Sequence, residues 1–245
     1  MERKTSYLII ILLAPFLVSA SYKTRIYQAY ISNNMQAWQT AMDEMENKKT
    51  SENAYLAELL NYQYGYIGYC LGVDEDKAAE KYLDLAEDNL DKLEDQRYSP
   101  GTIAAYRCAF YGYKIGLSPM KAPFLGPKSI KAGEEAIKTD PQNPLGFVQL
   151  GNAQFHMPAV FGGSKKEAIE YFQKAEKLME AKPETWVNGN WNYLSLLTKI
   201  GQSYEEMKEY KQAEIYYRKA LSAEPGFKWV KDELLPNLEK TMNDE

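Results

Sequence analysis

Few side chains in this chain could move protons or attack bonds. Histidine occurs once, at His156. A single imidazole cannot build a multi-histidine metal site, and no HExxH, GxSxG or CxxC pattern occurs. Glu44, Glu134-Glu135 and Glu205-Glu206 read as solvated helix faces, not as paired acids flanking a scissile bond. Gly162-Gly163-Ser164-Lys165 superficially suggests a phosphate loop. It lacks the G-x4-G-K-[ST] spacing and a preceding strand, so that reading fails. No catalytic residue, metal ligand or cofactor is expected.

What the chain has in excess is tyrosine, with 20 residues. A phenol offers a flat apolar face and one hydroxyl at low entropic cost, which suits binding rather than catalysis. Tyr62, Tyr66 and Tyr69 recur at steps of four and three, and so share one helix face. Tyr106 and Tyr113 stand seven apart on a second segment.

The elements that place these rings show a repeating pattern. Leu197, Ile200-Gly201 and Tyr204 precede Ala213, Tyr217, Ala220 and Pro225. Two small residues seven apart recur at Ala79/Ala86, Ser129/Ala136, Ala168/Ala175 and Ala213/Ala220. Small residues at that step let paired helices approach closely. No useful run alternates with period two, so strands are not expected. Segments 47–52, 96–101, 140–144 and 181–184 carry Pro, Asn, Gly or charge, as turns between helices do.

This spacing resembles the tetratricopeptide repeat, W-x2-L-G-x2-Y…A-x3-F…P, and does so most closely over Leu197–Pro225. The resemblance implies an all-α, right-handed superhelical stack of helix–turn–helix units closed by a capping helix. Hairpins are expected at about 21–49, 54–96, 102–141, 144–182 and 188–227, with a cap at 228–242 and a local kink at Pro236. Gly65, Gly112, Gly151 and Gly201 are expected to hold corresponding places. In such stacks the first helix of each unit lines a concave groove. The groove positions are then Tyr62, Tyr66 and Tyr69; Ala109, Tyr113 and Gly116, with Tyr106 a turn earlier; Val148, Asn152 and Phe155; and Thr198, Gln202 and Glu205. Asn152 is similar to the groove Asn that holds a ligand backbone in some members, without the basic residues of a carboxylate clamp. His156 sits where this face meets a loop. The tyrosines could equally stack on one another and fill the inner curve.

The two middle units depart from the pattern. Seventeen residues, not twelve, separate Gly112 from Ser129 and Gly151 from Ala168. The additions fall in segments 117–127 and 156–163, which carry Phe124 and Phe161. These segments either form a binding lip or pack down on helix ends.

Residues 1–20 read as a secretory leader: charged Glu2-Arg3-Lys4, an apolar run from Tyr7 to Val18, and small residues near Ala20. Export, to the periplasm in a Gram-negative cell, is the expectation, with no stable membrane insertion after cleavage. The net charge of −5 gives little attraction to nucleic acid or anionic lipid. Cys70 and Cys108 fall too far apart along neighbouring helices to bridge. The functional expectation is a non-enzymatic envelope scaffold that holds a peptide or partner-protein segment in the tyrosine groove and is free to oligomerise. The alternative is a small-molecule receptor or accessory subunit of nutrient uptake.

Overall fold

The computed structural model describes residues 21–48 and 50–244; the leader expected at 1–20 lies outside them. The helices are α1 (Tyr22–Ile31), α2 (Met35–Asn47), α3 (Asn53–Gly72), α4 (Asp76–Asp95), α5 (Pro100–Leu117), α6 (Ala122–Thr139), α7 (Pro144–His156), α8 (Lys165–Glu180), a single turn α9 (Pro183–Trp186), α10 (Trp191–Glu206), α11 (Tyr210–Ala223) and α12 (Leu235–Asp244). No strand occurs among the described residues. Five antiparallel hairpins, α1–α2, α3–α4, α5–α6, α7–α8 and α10–α11, stack in chain order. First helices pack on first helices, α3 on α5, α5 on α7.

Three hairpins close with the same turn. Asn33, Asp74 and Lys208 adopt φ of 55°, 59° and 60°. In each case the next amide donates back five residues: Asn34 to the Ala29 carbonyl at 2.8 Å, Glu75 to Cys70 at 2.9 Å, Glu209 to Tyr204 at 2.9 Å. One left-handed residue thus satisfies carbonyls the helix end leaves free and reverses the chain. In α5–α6 and α7–α8 the turn is replaced by longer loops with 3-10 turns at Pro119–Lys121 and Ala159–Phe161. Side-chain caps start other helices: Asn143 accepts from the Leu145 amide, Ser164 from Glu167, Asn190 from Asn192.

The shared turn gives an internal ruler. Counting from it, Ala79 and Ala86 match Ala213 and Ala220, and all four are fully buried. Gly201 stands seven residues before Lys208, so its counterpart is Ile67 and not Gly65. The four glycines are therefore not equivalent. Gly151 and Gly201 face the Phe172 and Tyr217 rings of their own second helices. Gly65 is turned away by two residues, about 200° of helix, and faces Trp38 and Trp191 instead. Gly112 faces open space. In its hairpin Cys108, one turn earlier, lies against Gly133, and its carbonyl accepts from the Ser129 hydroxyl at 2.8 Å.

The same ruler places Trp38 and Met45 of α2 where later hairpins have two alanines. An indole and a thioether thus stand where later hairpins bring their helices together on alanine. α1 packs on α10 as well as on α2. Tyr30 lies 5.8 Å from Trp38, 5.8 Å from Trp191 and 5.0 Å from Phe227. The Tyr27 hydroxyl donates to Glu224 at 2.8 Å, across 197 positions. The core divides into an N-terminal and a C-terminal cluster, yet Trp191 belongs to the first and Ile31 to the second. Each half lends one residue to the other.

After Phe227, a π-helical turn (Trp229–Leu234) leads into α12. A kink was expected at Pro236; there the helix changes from π to α at Leu235, whose amide donates to the Val230 carbonyl, so Pro236 follows directly on the wider turn. Cys70 and Cys108 are buried free thiols.

Candidate functional site

Most of the expected tyrosine groove is filled. Tyr62, Tyr66 and Tyr106 are buried. Tyr66 points back into its own hairpin, edge-on to Tyr82 at 5.0 Å. Tyr62 hydrogen-bonds Glu58, and its carbonyl accepts from the Trp38 indole at 3.1 Å. Tyr106 donates to Asn61 at 3.1 Å. These three hold the wall together and are unavailable as ligand contacts, which corrects the expectation drawn for them. The error follows from register: a face counted from Ile67 would have given Tyr64, Gly68 and Leu71.

Tyr64 is the ring that sequence reasoning missed, and the inner wall converges on it. Tyr113 stacks on it at 5.7 Å and donates to its carbonyl at 3.0 Å. Tyr106 meets it edge-on at 5.6 Å, and Trp191 lies at 6.1 Å. Asn152 donates to its hydroxyl at 3.3 Å. Asn152 and Tyr113 are thus engaged inside the wall, not facing an open groove. Burial pushes the phenols of Tyr62, Tyr64, Tyr106 and Tyr113 above their ordinary range, so all four stay neutral donors.

The far end of the wall is cationic. Phe155 is buried, with the ammonium groups of Lys165 and Lys199 at 3.7 and 4.6 Å from its ring centre and His156 edge-on at 4.8 Å. Lys165 also bonds the Phe155 carbonyl and pairs with Glu206 at 2.7 Å. Phe155 is therefore a packing platform, and Gln202 on α10 is half-buried. Burial brings the Lys199 ammonium down to about 8; Glu206 opposes the fall and Lys165 adds to it. Desolvation against the Phe155 ring, then the Lys199 and Lys165 ammonium groups, lowers the His156 imidazole below its usual range, although part of the side chain faces solvent. The unfolded chain keeps the Lys199 proton up to about pH 10.4, so between about 8 and 10 it binds more protons than the folded one. Lys199 by itself therefore contributes a rise in stability with pH across that window, on the order of 1 kcal/mol, whereas the Cys70 and Cys108 thiols, pushed up to about 11 by burial, and the raised phenols contribute a fall. Urea titrations from about pH 8 to 10 should show stability falling more steeply in Lys199→Met than in the parent chain.

What remains open lies at the edge where first helices end. Seven large apolar side chains are exposed among the described residues, and six of them, Tyr69, Val73, Met120, Phe124, Val160 and Phe161, sit there. The two inserted segments do not pack down: Phe124 is 76% and Phe161 72% exposed. The second loop is built to project. Phe161 and Gly163 amides both donate to the Pro158 carbonyl at 2.9 and 3.2 Å, and Gly162 takes φ of 94°. A side chain on Gly163 would overlap the Met157 carbonyl, so only glycine closes this loop. No group of three or more His, Cys, Asp or Glu gathers to hold a metal among the described residues.

Comparison with known proteins follows the same lines. The tetratricopeptide-repeat family matches residues 194–227, the α10–α11 hairpin. No curated protein matches the chain in sequence. Among solved structures, the HusA haemophore from Porphyromonas gingivalis superposes with a TM-score of 0.60 at 18% identity, covering 76% of this chain and 94% of that one. TTC0263, a thermophilic TPR protein of Thermus thermophilus, superposes with a TM-score of 0.52 at 16% identity over 85% and 93%. At such identities the likeness is one of fold. The last hairpin carries the tetratricopeptide-repeat sequence, and the hairpin stack before it has the fold of tetratricopeptide-repeat proteins.

Proposed function

We propose that the chain is a non-enzymatic binding scaffold of the cell envelope that engages its partner along the edge formed by the ends of its first helices, with Phe124 and Phe161 as anchors. Helical repeats of this family serve as interaction scaffolds, which supports the general role. The observation that carries the particular one is the concentration of exposed apolar side chains at that edge. Exposed apolar patches on a soluble fold mark places where something docks. The tyrosine wall gives the scaffold its shape, its rings being spent on one another.

The test is capture from envelope fractions by the parent chain and by a Phe124→Ala/Phe161→Ala variant. The variant should retain its fold, since both side chains are exposed, and should recover its partner at least about tenfold less well, as loss of two anchor residues implies. Equal recovery would remove the edge from consideration.

A second reading is favoured by one observation, the superposition on a haemophore across most of that protein's length. In it the chain carries a small ligand for nutrient uptake. Raised melting temperature with porphyrins or other small ligands, in a chain that captures no macromolecule, would favour it.

A further inference from the structure

The chemistry of the edge identifies the class of partner. The chain has 34 acidic and 29 basic residues, yet residues 117–133 hold three lysines and no carboxylate, and residues 155–166 hold two lysines and no carboxylate. On α6 and the turn before it, Lys121, Phe124, Lys128 and Lys131 follow steps of three, four and three, which puts them on one face. All four are exposed, as is Lys166 on α8. The opposite face of α6 buries Ser129, Gly133 and Ala136. The loop end of this face presents an aromatic ring between ammonium groups, and one turn past Lys131 the face continues into the exposed Glu135.

Met120, Phe124, Val160 and Phe161 stand out from two neighbouring hairpin ends. Two cavities, of about 420 and 450 Å³, lie at the start of α3, lined by Met45, Glu46 and Tyr55 among others, and at the α10–α11 turn, lined by Lys208, Glu209 and Met242 among others; neither is lined by segments 117–127 or 156–163. An extended peptide needs a trough to lie in. Protruding rings ringed by lysine suit a soft, negatively charged surface that closes around them. The carboxylates of the same edge are Asp74, Glu75 and Asp76 at the α3–α4 turn and Glu205, Glu206 and Glu209 at the α10–α11 turn, where Glu206 pairs with Lys165; the basic segments are the longer loops of the two hairpins between them.

We propose that this edge docks peripherally on an anionic lipid bilayer, with Phe124 and Phe161 entering the headgroup boundary and Lys121, Lys128, Lys131 and Lys166 lying on the headgroups. The proposal rests on the reading of the edge as the recognition surface. It needs no spanning segment, and no helix among the described residues is long and apolar enough to cross a membrane.

The experiment is co-sedimentation of the full chain with phosphatidylcholine vesicles, with and without phosphatidylglycerol. Any contribution of residues 1–20 is common to every variant. At physiological salt the parent chain should pellet with the anionic vesicles and be released by high salt. Phe124→Ser/Phe161→Ser and Lys121→Gln/Lys128→Gln/Lys131→Gln should each weaken that binding at least about tenfold, with unchanged melting temperatures. Absence of binding, equal binding to both vesicle types, or binding indifferent to both variants would overturn the proposal. If vesicles fail while the alanine variant still loses a captured protein, the edge stands as the recognition surface and its partner is a protein.

Discussion

Replacing Trp191 with alanine should lower the stability of the whole chain by about 3–5 kcal/mol, the range for emptying a buried indole site. Its ring touches elements far apart in sequence: Tyr30 of α1 at 5.8 Å, Trp38 of α2 at 5.1 Å, Tyr64 of α3 at 6.1 Å. Gly65 lies so close that a Cβ there would come within 2.6 Å of the indole. None of these neighbours is free to collapse into the gap, because Tyr64 is fixed by Tyr113 and Asn152, and Trp38 by its bond to the Tyr62 carbonyl. The Trp191 indole nitrogen itself is buried without a hydrogen-bond partner, so the loss is one of packing and not of polar pairing. Urea melts followed by circular dichroism give the number. A double-mutant cycle with Trp38→Ala should add a coupling of about 0.5–3 kcal/mol, as for contacting residues. A cost below about 1 kcal/mol would mean that the two halves do not lean on this ring.

The second large effect separates glycines that look alike in sequence. Gly151→Ala and Gly201→Ala should each destabilise by about 1–3 kcal/mol, since a methyl there overlaps the buried ring of Phe172 or Tyr217. Gly112→Ala should do the reverse. It sits within α5, is exposed and has nothing near its missing Cβ, so only backbone entropy changes, a gain of roughly 0.5–1 kcal/mol. Thermal melts of the three variants decide it. Similar losses at all three would restore the equivalence the spacing suggested, against the packing described above.

That contrast also explains how far the sequence could be read. The last hairpin was legible because its turn is short, so Gly201 and Ala213 stand at the family's twelve-residue spacing. The small-residue steps in the second helices were legible too, because close helix approach admits little else, and Ala79, Ala86, Ala168 and Ala175 are all fully buried. Gly65 misled, although it precedes Ala79 by fourteen residues and not twelve. The two-residue surplus rotates the face about 200°, which put Tyr66 in the groove and left Tyr64 out. The longer loops hid the register of α5 in the same way. Phe124 and Phe161 were nameable as candidates because apolar residues amid Pro and Gly stand out. Whether they projected or packed depended on tertiary contacts. The contact of α1 with α10 could not be read at all: no local pattern marks Tyr27 as the partner of a residue 197 positions away. The substitution of Trp38 for the alanine of other hairpins was visible only once the turns had been aligned.

The meeting of α1 with α10 and Phe227 has a consequence for ancestry. An open row of hairpins gains or loses members by duplication with little penalty, because each addition meets only its neighbours. Here an extra hairpin would carry Trp191 and Phe227 away from Tyr30, and a missing one would drive them into it. The number of hairpins is therefore locked, and descendants of this chain can diversify by remodelling loops such as 117–127 and 156–163, not by changing the copy number of the unit.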